Sequence, residues 1–397
     1  VIKFDCPGLV KLNQLARLTL AFALERQLQG GDDEIRASFV EHFSSNGYPK
    51  AGAWLWEKDV VIRKPLLTLV RLPLAEKQAI LPMFNADNDI EQRFAEGQFH
   101  FSAMPLSNSL ALNEVRTMLI NFYTAILSAP RPIPAEVINE VVDFGRQTVL
   151  RSYLRAQKLK VCPGCDGQPP SIDYAADVIR EDIDHFFGKS KYPFLAIHPL
   201  NLTPLCKTCN QTSYKGQKDA ILDQDPEVAD VTTLNHIYHP YLRPACEEVE
   251  ICVEWNSHDD QPHLFLRVPP NSPAATARLH SLNYLLRLES RWEGDLQEER
   301  PHQILQSYLW NSTQEERDQG IEIDESILLR KLNCIVETIQ RSVGKIPGYA
   351  PTQGLVRLVA DNPNADSKWL AITKAALHDN QATLDATKGA TLNNSLG

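Results

Sequence analysis

The sequence lacks any apolar run of the roughly 20 residues that a membrane-spanning helix needs. Its opening, Val1-Ile2-Lys3-Phe4-Asp5, does not read as a signal peptide. The expectation is therefore a cytoplasmic chain with no membrane partner. Neither an internal repeat nor coiled-coil heptads are present, which argues against solenoids and long zippers. Positive charge is also short. The 40 Lys and Arg residues face 50 Asp and Glu, for a formal net charge of −10. A general nucleic-acid coat runs on Lys and Arg, so that class is disfavoured. Four of the eight cysteines, Cys6, Cys246, Cys252 and Cys334, are scattered. In a cytosolic chain such lone cysteines act as small buried hydrophobes, not as a disulfide framework.

One local absence is more telling. From His185 to Lys218 there is no Asp or Glu, while Lys189, Lys191, Lys207, Lys215 and Lys218 all fall there. Arg151, Arg155, Lys158 and Lys160 form a second acid-free run just upstream. An acidic remainder would confine an anion to this basic face. Otherwise the composition is ordinary. At 397 residues, 43% hydrophobic and 23% charged, the chain suits two or three globular domains.

Leu12, Leu15, Leu18 and Phe22 recur at helical spacing and predict a helix over 9–28, ended by Gly30-Gly31-Asp32-Asp33. Further helices are expected over 34–43, 74–81, 109–127 and 136–158, with a turn at Asn46-Gly47-Tyr48-Pro49 and a proline linker over 129–134. Trp54 and Trp56 read as core or partner surface. Beyond Lys218, Val249, Ile251, Val253 and Trp255 alternate as in a strand, and 263–268 is its expected hairpin partner. Helices over 274–292, 301–317, 325–343 and 367–378 follow, then a polar tail. The domain reading is a mostly helical region over 1–157, a cysteine module over 158–222, and an α+β, mainly helical region over 223–397.

The module carries the chemistry. Cys162-Pro163-Gly164-Cys165 and Cys206-Lys207-Thr208-Cys209 are two CxxC pairs about forty residues apart, the pattern of a closed four-thiolate structural zinc site. A thioredoxin-type dithiol, the rival reading, needs one such pair at a helix start. Between the pairs, Asp182-Ile183-Asp184-His185 alternates as a short strand, with Asp182 and Asp184 on one side. A carboxylate there can hold a hard divalent cation. The imidazole of His185, with a reference pKa of about 6.5, can act as a base, or be a surface histidine. Asn201 sits in a turn and can brace the loop that carries His185. Asn210 follows the second pair, begins an expected helix, and can be aimed at a metal on Asp184, or simply cap that helix.

As a set, these residues resemble the HNH endonucleases, the ββα-metal nucleases, in their four-cysteine zinc form. The matching string runs Asp184-His185-Phe186-Phe187-Gly188-Lys189, then Asn201-Leu202, then Cys206-Lys207-Thr208-Cys209-Asn210 and Lys215-Gly216. The three letters fall on His185, Asn201 and Asn210. The resemblance covers about sixty of the 397 residues. Many relatives have proline where Gly188 stands, and some have histidine at the position of Asn210. The overall layout is similar to bacterial HNH effectors of anti-phage defence.

The resemblance implies a central zinc-stapled ββα-metal module within an α+β chain. It implies one Mg²⁺ or Mn²⁺ ion held by Asp184 and Asn210, His185 as general base, and Asn201 as the brace of its loop. Phosphodiester hydrolysis of DNA, or of RNA, would leave 5′-phosphate and 3′-hydroxyl ends. Lys189, Lys191, Lys215 and Lys218 would hold flanking phosphates without reading sequence. Activity would fall below about pH 6.5 as His185 takes up a proton. The alternatives are a zinc-ribbon subunit that binds nucleic acid without cutting it, and a scaffold. A regulatory protein partner or self-association suits the large regions outside the module.

Overall fold

A computed structural model describes residues 6–96, 101–102, 109–127, 134, 145–157, 161–167, 172–173, 178–179, 182–221, 234–256, 261–297, 299–341 and 349–361. The protein is a helix-rich α+β chain. It packs as two units. The first comprises Val1–Gly164, Pro170–Glu248 and Asn271–Leu286, and the second Cys165–Pro169, Val249–Pro270 and Arg287–Gly397.

The first unit begins with α1 (Pro7–Glu25) and α2 (Asp32–Ser45). Of the stripe read from the sequence, Leu12, Leu15 and Phe22 are buried and Leu18 is half-buried, and Leu9 and Leu20 of α1 are buried as well. Pro7 opens α1, where a missing N–H costs nothing. Asp32, Asp33 and Glu34 crowd the first turn of α2, where the helix dipole favours acids. Phe39 and Phe43 of α2 pack near Phe22 of α1 and Trp56. Trp56 is buried, so of the two tryptophans it is the core residue. Next come α3 (Ala51–Trp56), a π-helical stretch at Asp59–Arg63, α4 (Lys64–Arg71), α5 (Ile80–Asn88), α6 (Ile90–Glu96) and α7 (Leu110–Asn121). Alternation and caps gave no warning of α3 and α4, which are short and lie against α2 and α7. The helix expected over 74–81 is instead a 3₁₀ turn at Leu74–Glu76 followed by α5.

Lys77, between that turn and α5, is fully buried. Its ammonium donates to Ala23 O at 2.8 Å, Arg26 O at 2.6 Å and Leu69 O. One cation thus serves carbonyls at the C-terminal ends of both α1 and α4, where helices leave acceptors unpaired.

The helix α8 (Arg146–Gln157) is the described part of the one expected over 136–158. Two small antiparallel pairs follow, β1 (Ile172–Asp173) with β2 (Val178–Ile179), and β3 (Asp182–His185) with β4 (Leu202–Leu205). In the second, Asp184 faces Thr203 and His185 faces Leu202. Ile179, Ile183, Phe194, Ile197, Leu202 and Tyr241 join the same buried cluster as the N-terminal helices. The hairpin therefore shares its core with that region. The unit also includes α9 (Pro273–Leu286).

The second unit pairs β5 (Glu250–Asn256) with β6 (Gln261–Arg267), close to the expected hairpin. Around them are α10 (Leu288–Gln297), α11 (Glu299–Ser312), α12 (Gln314–Asp318), α13 (Glu325–Gln340) and α14 (Tyr349–Asp361). Asp324 caps α13 by accepting from Ile327 N at 2.8 Å. Gly354 of α14 lies so close to β5 that an added Cβ would meet Val253 Cγ2 at 2.4 Å. The expected helix over 274–292 breaks at Arg287, whose φ of +49° lies in the left-handed region. The expected helix over 367–378 lies outside the described residues.

Candidate functional site

Cys162, Cys165, Cys206 and Cys209 come together, all buried, with their sulfurs within 4.8 Å of one another. Cys162 Sγ and Cys209 Sγ are 3.9 Å apart. Four sulfurs about 2.3 Å from a central zinc would stand roughly 3.8 Å from each other, so the cluster has the size a tetrahedral ion needs. Backbone amides point at the sulfurs. Gly164 N and Cys206 N donate to Cys162 Sγ at 3.4 and 3.3 Å, and Cys209 N donates to Cys206 Sγ at 3.4 Å. Such donors favour thiolates over thiols. A Cβ at Gly164 would sit 3.0 Å from Leu205 Cδ2 and 3.3 Å from Cys209 Sγ, which is why the first knuckle carries glycine there. The cluster can hold a metal such as zinc.

A cleft of about 380 Å³ opens over the hairpin. Its walls include Asp182, Asp184, His185, Lys189 and Asn210, and also Tyr123 and Arg146 from the helical region. Both aspartates reach the cleft, and so do Ile183 and His185, so the cleft does not follow the alternation expected of the strand. His185 is buried, and its Nε2 lies 2.9 Å from Ala196 O. A carbonyl only accepts, so Nε2 carries the proton and Nδ1 keeps its lone pair. The Tyr123 ring packs edge-on against the imidazole, 4.2 Å between centroids, and its hydroxyl donates to Ile183 O at 2.8 Å. Burial, with Lys189 and Lys215 nearby, pushes His185 down to about 3. The imidazole therefore stays neutral well below the pH at which free imidazole is protonated, so the protonation expected near pH 6.5 moves down to about pH 3.

Asn201 is fully buried, and its amide spans the loop that follows His185. Oδ1 accepts from Phe187 N at 2.7 Å, and Nδ2 donates to Phe187 O at 3.0 Å and Leu195 O at 2.9 Å. Of the expected roles, the brace is the one its geometry matches.

Asn210 Nδ2 donates to Asp182 Oδ2 at 3.1 Å, so its amide oxygen is the atom left over. The segment after Asn210 departs from expectation. It runs as successive turns, not as a helix. Lys215 N reaches back to Cys209 O at 3.2 Å, and Gly216 adopts φ of +41° with no room for a side chain, a Cβ there meeting Thr212 Cα at 2.6 Å. The antiparallel pair is thus followed by a tight coil where the expected ββα module would have a helix.

The four lysines expected on phosphates differ in position. Lys215 is buried. Its Nζ lies 2.7 Å from Asp184 Oδ2 and donates to His185 O at 2.7 Å, so it belongs to the floor of the site and not to a solvated phosphate contact. Lys191 pairs with Asp219 at 2.5 Å. Lys218 donates to Tyr284 O at 2.8 Å and stands over that ring. Lys189 alone of the four lines the cleft, over the Tyr123 ring. Burial raises the Asp184 carboxyl and Lys215 opposes that shift.

No protein-family model, curated protein or solved structure matches the chain. The geometry must therefore carry the functional reading by itself.

Arg146, Tyr123 and Asp182 are the cleft residues that sequence reasoning left without a role. Asp182 had a signal, its two-residue spacing from Asp184. Arg146 and Tyr123 had none, because they arrive from elements far away in sequence. His239 and Tyr241, which follow the module in sequence, are packing residues. His239 is buried against Phe94, Phe186 and Phe187, and Tyr241 donates to Leu202 O at 2.7 Å.

Oxygen donors line the cleft, with Lys215 already standing on Asp184 Oδ2. The donor set is carboxylate and amide oxygens, the chemistry magnesium and manganese prefer. Asp184 Oδ2 is buried and, although ion-paired with Lys215, makes no aligned hydrogen bond.

Proposed function

We propose that the chain is a metal-dependent endonuclease of the HNH type that hydrolyses phosphodiester bonds of DNA. The observation that carries this reading is the single cleft in which Asp182, Asp184, His185 and Asn210 meet, with basic groups on its walls. Asp184 and Asn210 would hold the divalent cation. When bound, that ion supplies Lewis-acid stabilisation of the charge on the scissile phosphate and the leaving 3′ oxygen.

The chain's own residues do the rest. His185 takes the proton of an attacking water on Nδ1, with its ring held by Ala196 O and Tyr123. Asn201 fixes the loop that follows the base. Lys189 lies where it can face a phosphate. Cleavage at the 3′ oxygen leaves 5′-phosphate and 3′-hydroxyl ends. The wider setting we propose, an anti-phage effector gated by a partner protein or by self-association, rests on the layout of the chain alone.

A second reading, a zinc-ribbon subunit that binds nucleic acid or a partner without cutting, draws on one observation. Lys215 already stands on Asp184 Oδ2, where a catalytic cation is to be held.

Purified protein incubated with supercoiled plasmid and Mg²⁺ or Mn²⁺, beside an EDTA control and His185→Ala, separates the two. Nicking that needs both the metal and His185 is expected. Nicking that survives EDTA or His185→Ala would sink the assignment. A folded, zinc-loaded wild type that binds the plasmid without nicking it would favour the binding subunit.

A further inference from the structure

Two ion pairs neutralise the two carboxylates of the cleft, and they differ in kind. Lys215–Asp184 is buried, its side chains 5% and 10% exposed, and the ammonium also holds His185 O. Arg146–Asp182 stands at 34% and 40% exposure. A buried pair cannot part without stranding a charge, whereas a half-exposed pair exchanges at little cost.

The attachment of α8 allows Arg146 to let go. Its neighbour Gln147 grips β2 at both ends of its amide, donating to Ile179 O at 2.9 Å and accepting from Ile179 N at 2.9 Å. The start of the helix is thus held by Gln147, whatever the Arg146 side chain does.

Charge gives the move a direction. Arg146, Lys189 and Lys215 face Asp182 and Asp184, so the cleft already carries more positive than negative groups. A divalent cation alone would add to that excess, and a phosphodiester alone would meet two carboxylates. Bound together they offset each other. A guanidinium is planar and always charged, and it matches phosphate oxygens two at a time.

We infer that Arg146 couples cation and phosphodiester binding. It neutralises Asp182 while the cleft holds neither, and turns its guanidinium to a substrate phosphate once a divalent cation held by Asp184 and Asn210 brings its own charge beside Asp182. This rests on the endonuclease reading above. Because coupling is reciprocal, each ligand strengthens the other by the same factor, and Arg146 supplies part of that factor.

The test measures Mn²⁺ affinity of the zinc-loaded full-length chain, with and without a phosphorothioate oligodeoxynucleotide, in wild type, Arg146→Met and Asp184→Asn. In wild type the oligonucleotide tightens Mn²⁺ binding. In Arg146→Met, Mn²⁺ binds about two- to fivefold tighter without the oligonucleotide, the range expected for removing a competing half-exposed pair. Most of the gain on adding oligonucleotide disappears. Thermal unfolding stays near wild type because Gln147 still anchors the helix. Unchanged Mn²⁺ affinity and unchanged coupling in Arg146→Met would overturn the inference. So would Mn²⁺ affinity that falls together with thermal stability, the mark of a purely structural residue. If wild type shows no Mn²⁺ site sensitive to Asp184→Asn, the endonuclease reading itself fails, and the inference fails with it.

Discussion

The cysteine cluster and the carboxylates of the cleft come from one short stretch of chain, with Cys209 directly preceding Asn210, yet they are opposite kinds of site. The cluster uses soft donors, all four buried, with backbone amides aimed at the sulfurs. Nothing outside the two knuckles is needed to complete the tetrahedron. The cleft uses hard oxygen donors, lies partly open, and has each carboxylate neutralised by a cation of the chain itself. A site that only stabilises can be closed and complete. A site that must admit substrate and release product has to keep its donors exchangeable.

The largest effect that sharpens this contrast should come from Cys206→Ser. If the cluster is structural, the variant loses its zinc and more than about 4 kcal/mol of stability, among the largest costs of a single substitution. Zinc content by elemental analysis, with thermal unfolding, reads both. Wild type without zinc would break the comparison outright.

The next effect lies at the floor of the cleft. Lys215→Met strands the buried Asp184 carboxylate and leaves His185 O without its donor, a cost of about 3 kcal/mol or more. The double variant Asp184→Asn with Lys215→Met should recover much of that loss. Chemical denaturation of the three variants forms a double-mutant cycle. Additive effects would show that the pair is not coupled, and the cleft would then be more open than its geometry implies.

The smallest effect per residue concerns the packing on which the hairpin leans. Burial pushes His198 down to about 4 and His239 to about 3. Both are neutral in the fold, whereas in the unfolded chain each takes up a proton near pH 6.5. The unfolded state then binds more protons, so this stability is complete above about pH 6.5 and is lost as pH falls towards 4 and then 3. Unfolding free energies from urea titrations at pH 7 and pH 4.5 should differ by up to about 2.5 kcal/mol for each such histidine, with His185, held at about 3, adding its own share in the same window. Equal midpoints would place both histidines in water.

Much of this was legible in the sequence, for local reasons. The CxxC spacing fixes two thiolates on each tight turn, and two such turns have few other uses. The strand over Asp182–His185 was legible, and both of its carboxylates line the cleft, although Ile183 and His185 line it as well. The hydrophobic stripe of α1 and the hairpin of β5 and β6 followed from periodicity. What failed, failed for non-local reasons. Nothing near Lys215 announces that it folds inward beneath Asp184, because Lys-rich loops normally face water. The helix expected after Asn210 gave way to turns once Lys215 was drawn inward and Gly216 took positive φ. The break at Arg287 is a left-handed residue inside a pattern that reads as continuous helix.

The sequence by itself determined which donor atoms the module carries: four cysteine sulfurs that can hold a metal such as zinc, the carboxylates of Asp182 and Asp184, the amides of Asn201 and Asn210, and a histidine at the strand end. These are properties of residue type and short spacing, which the chain carries before it folds. The tertiary structure alone decided which cations neutralise which carboxylates. Arg146 and Lys215 approach from opposite sides in sequence, and burial sets the two pairs apart, Lys215–Asp184 at 5% and 10% exposure and Arg146–Asp182 at 34% and 40%. It also decided that His185 stays neutral far below the pH of free imidazole, because desolvation is a property of the packed interior and not of the residue.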